Sequence, residues 1–133
     1  MTNGAHPRRT ALIVDDDPGI LEVLAAILED AGFATTSYED GEPALTALAH
    51  EHFDLLLIDQ WLPDINGLQI CAAARNRYGN TSIVMMITAD PRMERHVTAL
   101  TTCADDVVAK PFNVDVLVAR IEAKLRRKTE VAA

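Results

Sequence analysis

The sequence predicts one α/β domain in which helices cover both faces of a parallel sheet. Short β-branched runs alternate with amphipathic segments about five times between Ala11 and Lys128, the pattern of repeated βα units. Three of the runs are apolar throughout, as strands buried on both sides must be. A chain of 133 residues can bury one sizeable core but not two.

The elements follow in chain order. Ala11 to Val14 is the first strand, and Asp17 then serves as N-cap with Pro18 at the first helical position. Ile20, Leu24, Ile27 and Leu28 make one stripe of that helix, and Gly32 closes it. Thr35 to Tyr38 is the second strand, followed by a helix from Glu42 to Ala49 whose Pro43 is tolerated in the first turn. Leu55 to Ile58 is the third strand, and Asn66 caps a helix that runs to about Tyr78 and ends at Gly79. Ile83 to Ile87 is the fourth, after which Asp90-Pro91 opens a helix carrying Met93, Val97 and Leu100. Val107 to Ala109 is the fifth.

Asn113 opens the last helix, with Val114, Leu117, Val118, Ile121 and Leu125 on one face. Lys124, Arg126, Arg127 and Lys128 are expected at its end, where cations complement the helix dipole. Residues 10 to 128 form the predicted domain, with a flexible leader at 1–9 and a flexible tail at 129–133.

Composition narrows the function. At 49% hydrophobic and 24% charged residues the chain is of ordinary globular type. No apolar run approaches the ~20 residues a bilayer span needs. Arg8 and Arg9 precede Ala11-Leu12-Ile13-Val14, but Asp15, Asp16 and Asp17 cut that run short of a signal peptide, so cytoplasmic residence is expected. A formal net charge of −8 argues against direct contact with nucleic acid, whose phosphates it would repel. Cys71 and Cys103 lack CxxC spacing and read as buried free thiols.

In an open parallel sheet, ligands bind beyond the carboxyl ends of the strands, where strand order reverses. Here the first strand ends in Asp15-Asp16, the third in Asp59, the fourth in Thr88 and the fifth in Lys110-Pro111. Three carboxylates brought together repel unless they share a cation. Mg2+ suits the set, because it takes oxygen ligands and keeps several waters. The expected ligands are Asp16 and Asp59 directly, Asp15 through water, and the carbonyl of Trp61. Asp59 is then a covalent phosphoryl acceptor, already ionised near neutral pH and in need of no general base. Mg2+, the Thr88 hydroxyl and the Lys110 ammonium would each neutralise one equatorial oxygen. Singly, these residues have duller uses: an Asp after a strand caps a helix, and Lys-Pro makes a turn. The weight lies in four of five strand ends carrying complementary groups in order.

With these residues in place, the chain resembles the receiver domain of two-component response regulators, the chemotaxis-type phosphoacceptor fold. The carriers are Leu-Ile-Val-Asp-Asp-Asp-Pro at 12–18, Asp-Leu-Leu-Leu-Ile-Asp-Gln-Trp-Leu-Pro-Asp-Ile-Asn-Gly-Leu at 54–68, Ile-Thr-Ala at 87–89 and Ala-Asp-Asp-Val-Val-Ala-Lys-Pro-Phe at 104–112, and the likeness covers about 10–127. It implies a flavodoxin-like, doubly wound (βα)5 sheet of strand order 2-1-3-4-5. It also implies an acidic pair at Asp15 and Asp16, an acceptor at Asp59, a switch hydroxyl at Thr88, a lysine at Lys110 and a cis bond before Pro111. The implied phosphoryl donor is a phosphohistidine on a histidine kinase or phosphotransfer protein. Phosphorylation would draw Thr88 inward and shift a pre-existing equilibrium of the partner-binding face formed by the fourth helix, fifth strand and fifth helix. No output domain is expected after Lys128, so the implied effector is a separate chain, or the protein is a relay intermediate.

Three positions depart from the family pattern. Val107 stands where a rotating aromatic is usual, so readout is expected to rely on Thr88 and its loop. Trp61, beside the path of an attacking water, is expected to slow hydrolysis of the phosphoaspartate, or else to pack on its loop. Cys103 stands where a glycine commonly ends the fourth helix. Two other functions compete: a degenerate receiver that serves only as a binding module, motivated by Val107, and an aspartate-based Mg2+ phosphohydrolase using Asp15, motivated by Asp15-Asp16-Asp17.

Overall fold

The computed structural model describes residues 8–89 and 103–132, with side chains as far as residue 127. In chain order the elements are β1 (Arg9–Val14), α1 (Pro18–Asp30), β2 (Phe33–Tyr38), α2 (Gly41–His50), β3 (Leu55–Asp59), α3 (Gly67–Tyr78), a 3-10 turn (Gly79–Thr81), β4 (Ile83–Thr88), β5 (Asp106–Ala109) and α4 (Val114–Ala132). The strands form one parallel sheet in the order β2-β1-β3-β4-β5, as the resemblance implies. Progression reverses between β1 and β3, which pair directly through Ala11 with Leu55 to Val14 with Ile58. The carboxyl ends of β1 and β3 therefore flank the crevice where such sheets bind ligands.

Strand alternation divides the core in two. Leu12, Val14, Leu56, Ile58, Val84 and Met86 face α2 and α3, packing on Ala44, Leu48, Ile70 and Ala74. Ala11, Ile13, Leu55, Leu57, Met85 and Ile87 face the other way, toward Leu24 and Leu28 of α1 and Leu117 and Ile121 of α4. Each fully buried leucine contributes about 1.5–3 kcal/mol by leaving water. From Ala11 to Val14, Leu55 to Ile58 and Ile83 to Ile87 these strands are apolar throughout, because both faces are covered.

The helix starts follow local chemistry. Asp17 accepts hydrogen bonds from the N–H groups of Gly19 and Ile20, with Pro18 opening α1. Asn66 and Gln69 form a reciprocal capping box at the start of α3. Asn113 accepts from the Val116 N–H at the start of α4. Gly32, just past α1, has φ +98°, a conformation that favours glycine.

Several boundaries differ from the sequence reading. β2 begins at Phe33 rather than Thr35, because Phe33 is buried and pairs with Arg9. α2 begins at Gly41, and Asp40 before it makes no side-chain cap; the cap comes from Asp64, far along the chain. α4 continues to Ala132, since residues 129–132 contain neither Gly nor Pro to stop it. Lys124, Arg126, Arg127 and Lys128 thus lie inside the helix, and the expected complement to its C-terminal dipole is not made. The helix expected after Asp90-Pro91 lies outside the described residues.

Cys71 is buried and Cys103 half-buried, and both are free thiols. Burial pushes the Cys71 thiol pKa up, with Cys103 against it adding to the effect. The Arg75 guanidinium ties α3 to the start of β4 and β5. It donates to the carbonyls of Cys103, Gly79 and Ser82, each at 2.8 Å, and pairs with Asp105 at 2.6 Å.

Candidate functional site

The acidic crevice is assembled by strand ends. Asp15 directly follows β1, and its N–H donates to the Tyr38 carbonyl, holding the residue in line with the sheet. Its Oδ1 accepts the Asp17 N–H at 2.9 Å. Asp15 is fully buried while Asp16 beside it is exposed, as adjacent residues at a strand end should be. Asp59 is the last residue of β3 and is 5% exposed. Thr88 ends β4, and its carbonyl accepts the Lys110 N–H at 2.8 Å, which extends the sheet and places Lys110. The Lys110–Pro111 bond is cis.

The structure brings the acidic side chains and the amine together. Lys110 Nζ lies 2.9 Å from Asp15 Oδ2 and 3.4 Å from Asp59 Oδ2. Asp15, Asp16 and Asp59 each offer a carboxylate oxygen, and the three oxygens lie within 4.8 Å of one another. Burial raises the Asp59 pKa to about 6, and the Asp15 charge adds to that rise; Lys110 and the Trp61 N–H oppose it. Burial works against the Lys110 cation, yet its hydrogen bond to Asp15 and the charge of Asp59 outweigh that and raise its pKa.

This donor set suits a hard divalent cation. Asp15 Oδ2 is buried, and its partner among the described residues is the Lys110 ammonium at 2.9 Å, which Asp59 shares at 3.4 Å. Three carboxylates within 4.8 Å of one another thus face one ammonium, and a further shared cation would relieve their repulsion.

A tight loop carries the chain from Asp59 back into α3. Gly67 donates to the Gln60 carbonyl at 2.7 Å, and a β-carbon there would overlap the Asp59 carbonyl oxygen and meet Ile58. Trp61 bridges to Asn66 across the loop, and its side chain is 54% exposed rather than packed away. Asp64 accepts the N–H groups of Gly41 and Glu42, both at 2.8 Å, and so fastens the loop to α2. The bonds from Glu42 and Gly41 lower its pKa.

Two contributors escaped the sequence reading. Asp64 was invisible because a cap donated across 23 residues leaves no local spacing. Gln60 is buried and accepts the Thr88 hydroxyl at 2.9 Å. Its signal was present: a polar residue continues the apolar run Leu55 to Ile58 just past Asp59. Val107 is buried in the core on the side of α2 and α3.

Carboxylates and an ammonium gathered at the reversal point of a 2-1-3-4-5 sheet define the receiver class of signalling domain. The chain belongs to the response regulator receiver domain family, whose pattern matches residues 11–122. Phosphoryl acceptance is the general role of that family, and its members bind Mg2+ at an acidic cluster. Among curated relatives, the DNA-binding response regulator MtrA of Mycolicibacterium smegmatis is 40% identical over 126 residues, which cover 95% of this chain and 54% of that protein. The chain thus spans about half the length of the curated relatives it matches. Among solved structures, a CheY-like response regulator receiver domain protein from Methanospirillum hungatei superposes with a TM-score of 0.84 at 30% identity, covering 93% of this chain and 98% of that one. TrrA from Thermotoga maritima, solved in complex with Mg2+-BeF, superposes with a TM-score of 0.77 at 28% identity, covering 87% and 98%. No described helix is long and apolar enough to cross a membrane.

Proposed function

We propose that this receiver accepts a phosphoryl group on the Asp59 carboxylate from a phosphohistidine of a histidine kinase or phosphotransfer protein, and passes the change to an effector protein. The observation that carries this reading is the placement of Lys110 Nζ between Asp15 and Asp59, with the three carboxylate oxygens within 4.8 Å. Asp15, Asp16, Asp59 and the Trp61 carbonyl would hold Mg2+. When bound, the ion supplies charge neutralisation for the phosphoryl oxygens and for the clustered carboxylates.

In the reaction, an Asp59 carboxylate oxygen forms the new O–P bond as the P–N bond of the phosphohistidine breaks. The electron pair of that bond returns to the imidazole, which takes a proton from water. With a pKa of about 6, Asp59 is mostly ionised at pH 7 and acts without a general base. The Lys110 ammonium pairs with a phosphoryl oxygen, and the Thr88 hydroxyl turns toward another. That movement of Thr88 biases the surface beside β5 and α4.

Action of the receiver on an effector protein belongs to this proposal, supported by the receiver family match over residues 11–122. Cytoplasmic residence and the absence of direct nucleic-acid contact by this domain also belong to it, the latter supported by the net charge of −8. The test uses Trp61, the sole tryptophan, which stands two residues from Asp59. Its fluorescence is expected to respond to Mg2+ and then to beryllofluoride, and both responses are expected to fall away in Asp59→Asn. Silence toward both ligands in the unaltered protein would favour a binding module without phosphoryl chemistry.

A further inference from the structure

Gln60 occupies an unusual place for an amide. The Gln60 N–H donates to the Ile87 carbonyl at 3.0 Å, extending the β3–β4 ladder one residue beyond Asp59 and setting Gln60 beside Thr88. Alternation puts Gln60 on the side of Ile58, and Thr88 on the side of Met86, so both lie toward α2 and α3. Asp59 alternates to the opposite side, with Leu57. The Thr88 hydroxyl, 1% exposed, donates to Gln60 Oε1 at 2.9 Å, and Gln60 itself is 3% exposed.

A threonine hydroxyl carries one proton and can donate it to one strong acceptor at a time. In this structure that proton is directed at Gln60 Oε1. A neutral hydrogen bond between buried groups is not exchanged for water, so it persists until a better acceptor arrives. A dianionic phosphoryl group is such an acceptor, because hydrogen bonds to charged oxygens are the stronger kind. The Gln60 side chain and the phosphoryl group then compete for one proton.

We propose that Gln60 is a positioning residue that holds the Thr88 hydroxyl in the unphosphorylated arrangement and so sets the resting bias of the switch. The proposal rests on the reading of Asp59 as phosphoryl acceptor and deepens it. It assigns the bias to a side chain next to the acceptor, in a chain whose β5 carries Val107 within the core and no aromatic residue. Because both arrangements are folded, the effect belongs to the equilibrium between them rather than to unfolding.

The experiment measures Mg2+-dependent beryllofluoride affinity by calorimetry in the unaltered protein, Gln60→Met, Thr88→Ala and the double variant. Methionine keeps the length and removes the acceptor. Affinity is expected to rise about five-fold in Gln60→Met, the scale of one net hydrogen bond. It is expected to change little when Gln60→Met is added to Thr88→Ala, since the competition has lost its hydroxyl. A rise that persists in the Thr88→Ala background, or an affinity unchanged or weakened in Gln60→Met, overturns the proposal and leaves the acceptor reading standing. Absence of any beryllofluoride binding by the unaltered protein overturns both. A second measurement needs no phosphoryl analogue: three-bond couplings of Thr88 in the resting protein are expected to report one χ1 rotamer, averaged in Gln60→Met. Identical couplings in the two proteins would also overturn it.

Discussion

Lys110 Nζ lies 2.9 Å from the buried Asp15 Oδ2, closer than its 3.4 Å separation from Asp59 Oδ2. In the resting arrangement the lysine therefore neutralises Asp15 ahead of Asp59. Placing a phosphoryl group on Asp59 would give the ammonium a third anion, and Mg2+ would free it to move there.

Lys110→Met tests that sharing. Two buried carboxylates then face each other with no cation, and stability in chelator is expected to fall by about 1–3 kcal/mol. Added Mg2+ is expected to restore much of the loss through binding to the folded state. Mg2+ affinity itself is expected to rise, because the ammonium no longer repels the ion, while beryllofluoride affinity falls. Thermal melts with and without Mg2+, paired with calorimetric titration, check all three. Unchanged or weaker Mg2+ binding would contradict the proposed sharing.

The raised pKa of Asp59 fixes the sign of a pH effect. The folded value is about 6 against an ordinary 3.8, so the folded protein keeps a proton that the unfolded chain loses. Its contribution favours folding below pH 3.8 and is lost as pH rises through 6. Without Mg2+, Asp59→Asn is expected to be more stable than the unaltered protein at pH 7, by about 1–2 kcal/mol. The gap is expected to close toward pH 4, where both side chains are uncharged. Denaturant titrations across that range in chelator check it; a gap that widens on acidification would contradict the assignment.

Asp64 gives the opposite sign. Its folded pKa is lowered, chiefly by the Glu42 and Gly41 N–H groups, so its contribution is present above 3.8 and lost as pH falls through the folded value. Asp64→Ala leaves the start of α2 uncapped, because Asp40 makes no cap bond. The melting temperature is expected to drop by a few degrees at pH 7 and to match the unaltered protein in strong acid. Mg2+ affinity is expected to weaken as well, since the loop that presents the Trp61 carbonyl is no longer fastened to α2.

Trp61, 54% exposed beside the crevice, is expected to obstruct water. Trp61→Ala is expected to speed loss of phosphate from the labelled protein several-fold, followed as decay after removal of the donor. An unchanged decay rate would leave the ring without that role.

Most of the fold was legible because burial on both faces writes itself into the strands. Leu55 to Ile58 and Ile83 to Ile87 are apolar at every position, and all of them are buried. Asp17, Asn66 and Asn113 announced their helices through caps that act within three residues. What stayed hidden was set by contacts distant in sequence. The start of β2 depended on Phe33 meeting β1, and the start of α2 on Asp64 reaching across from another loop. The acidic residues and Lys110 could be named from strand ends. The hydrogen bond between Gln60 and Thr88 could not, because it depends on the register that sets Asp59 opposite Ile87.

The most direct test of the central claim is chemical. The protein, incubated with Mg2+ and a small-molecule phosphodonor, is treated with borohydride, which reduces an acyl phosphate to the alcohol and releases phosphate. Peptide mass spectrometry is expected to find homoserine in place of Asp59 and at no other aspartate. Homoserine at Asp15 would point to a first-strand nucleophile, and unmodified Asp59 after incubation with Mg2+ and the donor would contradict the account.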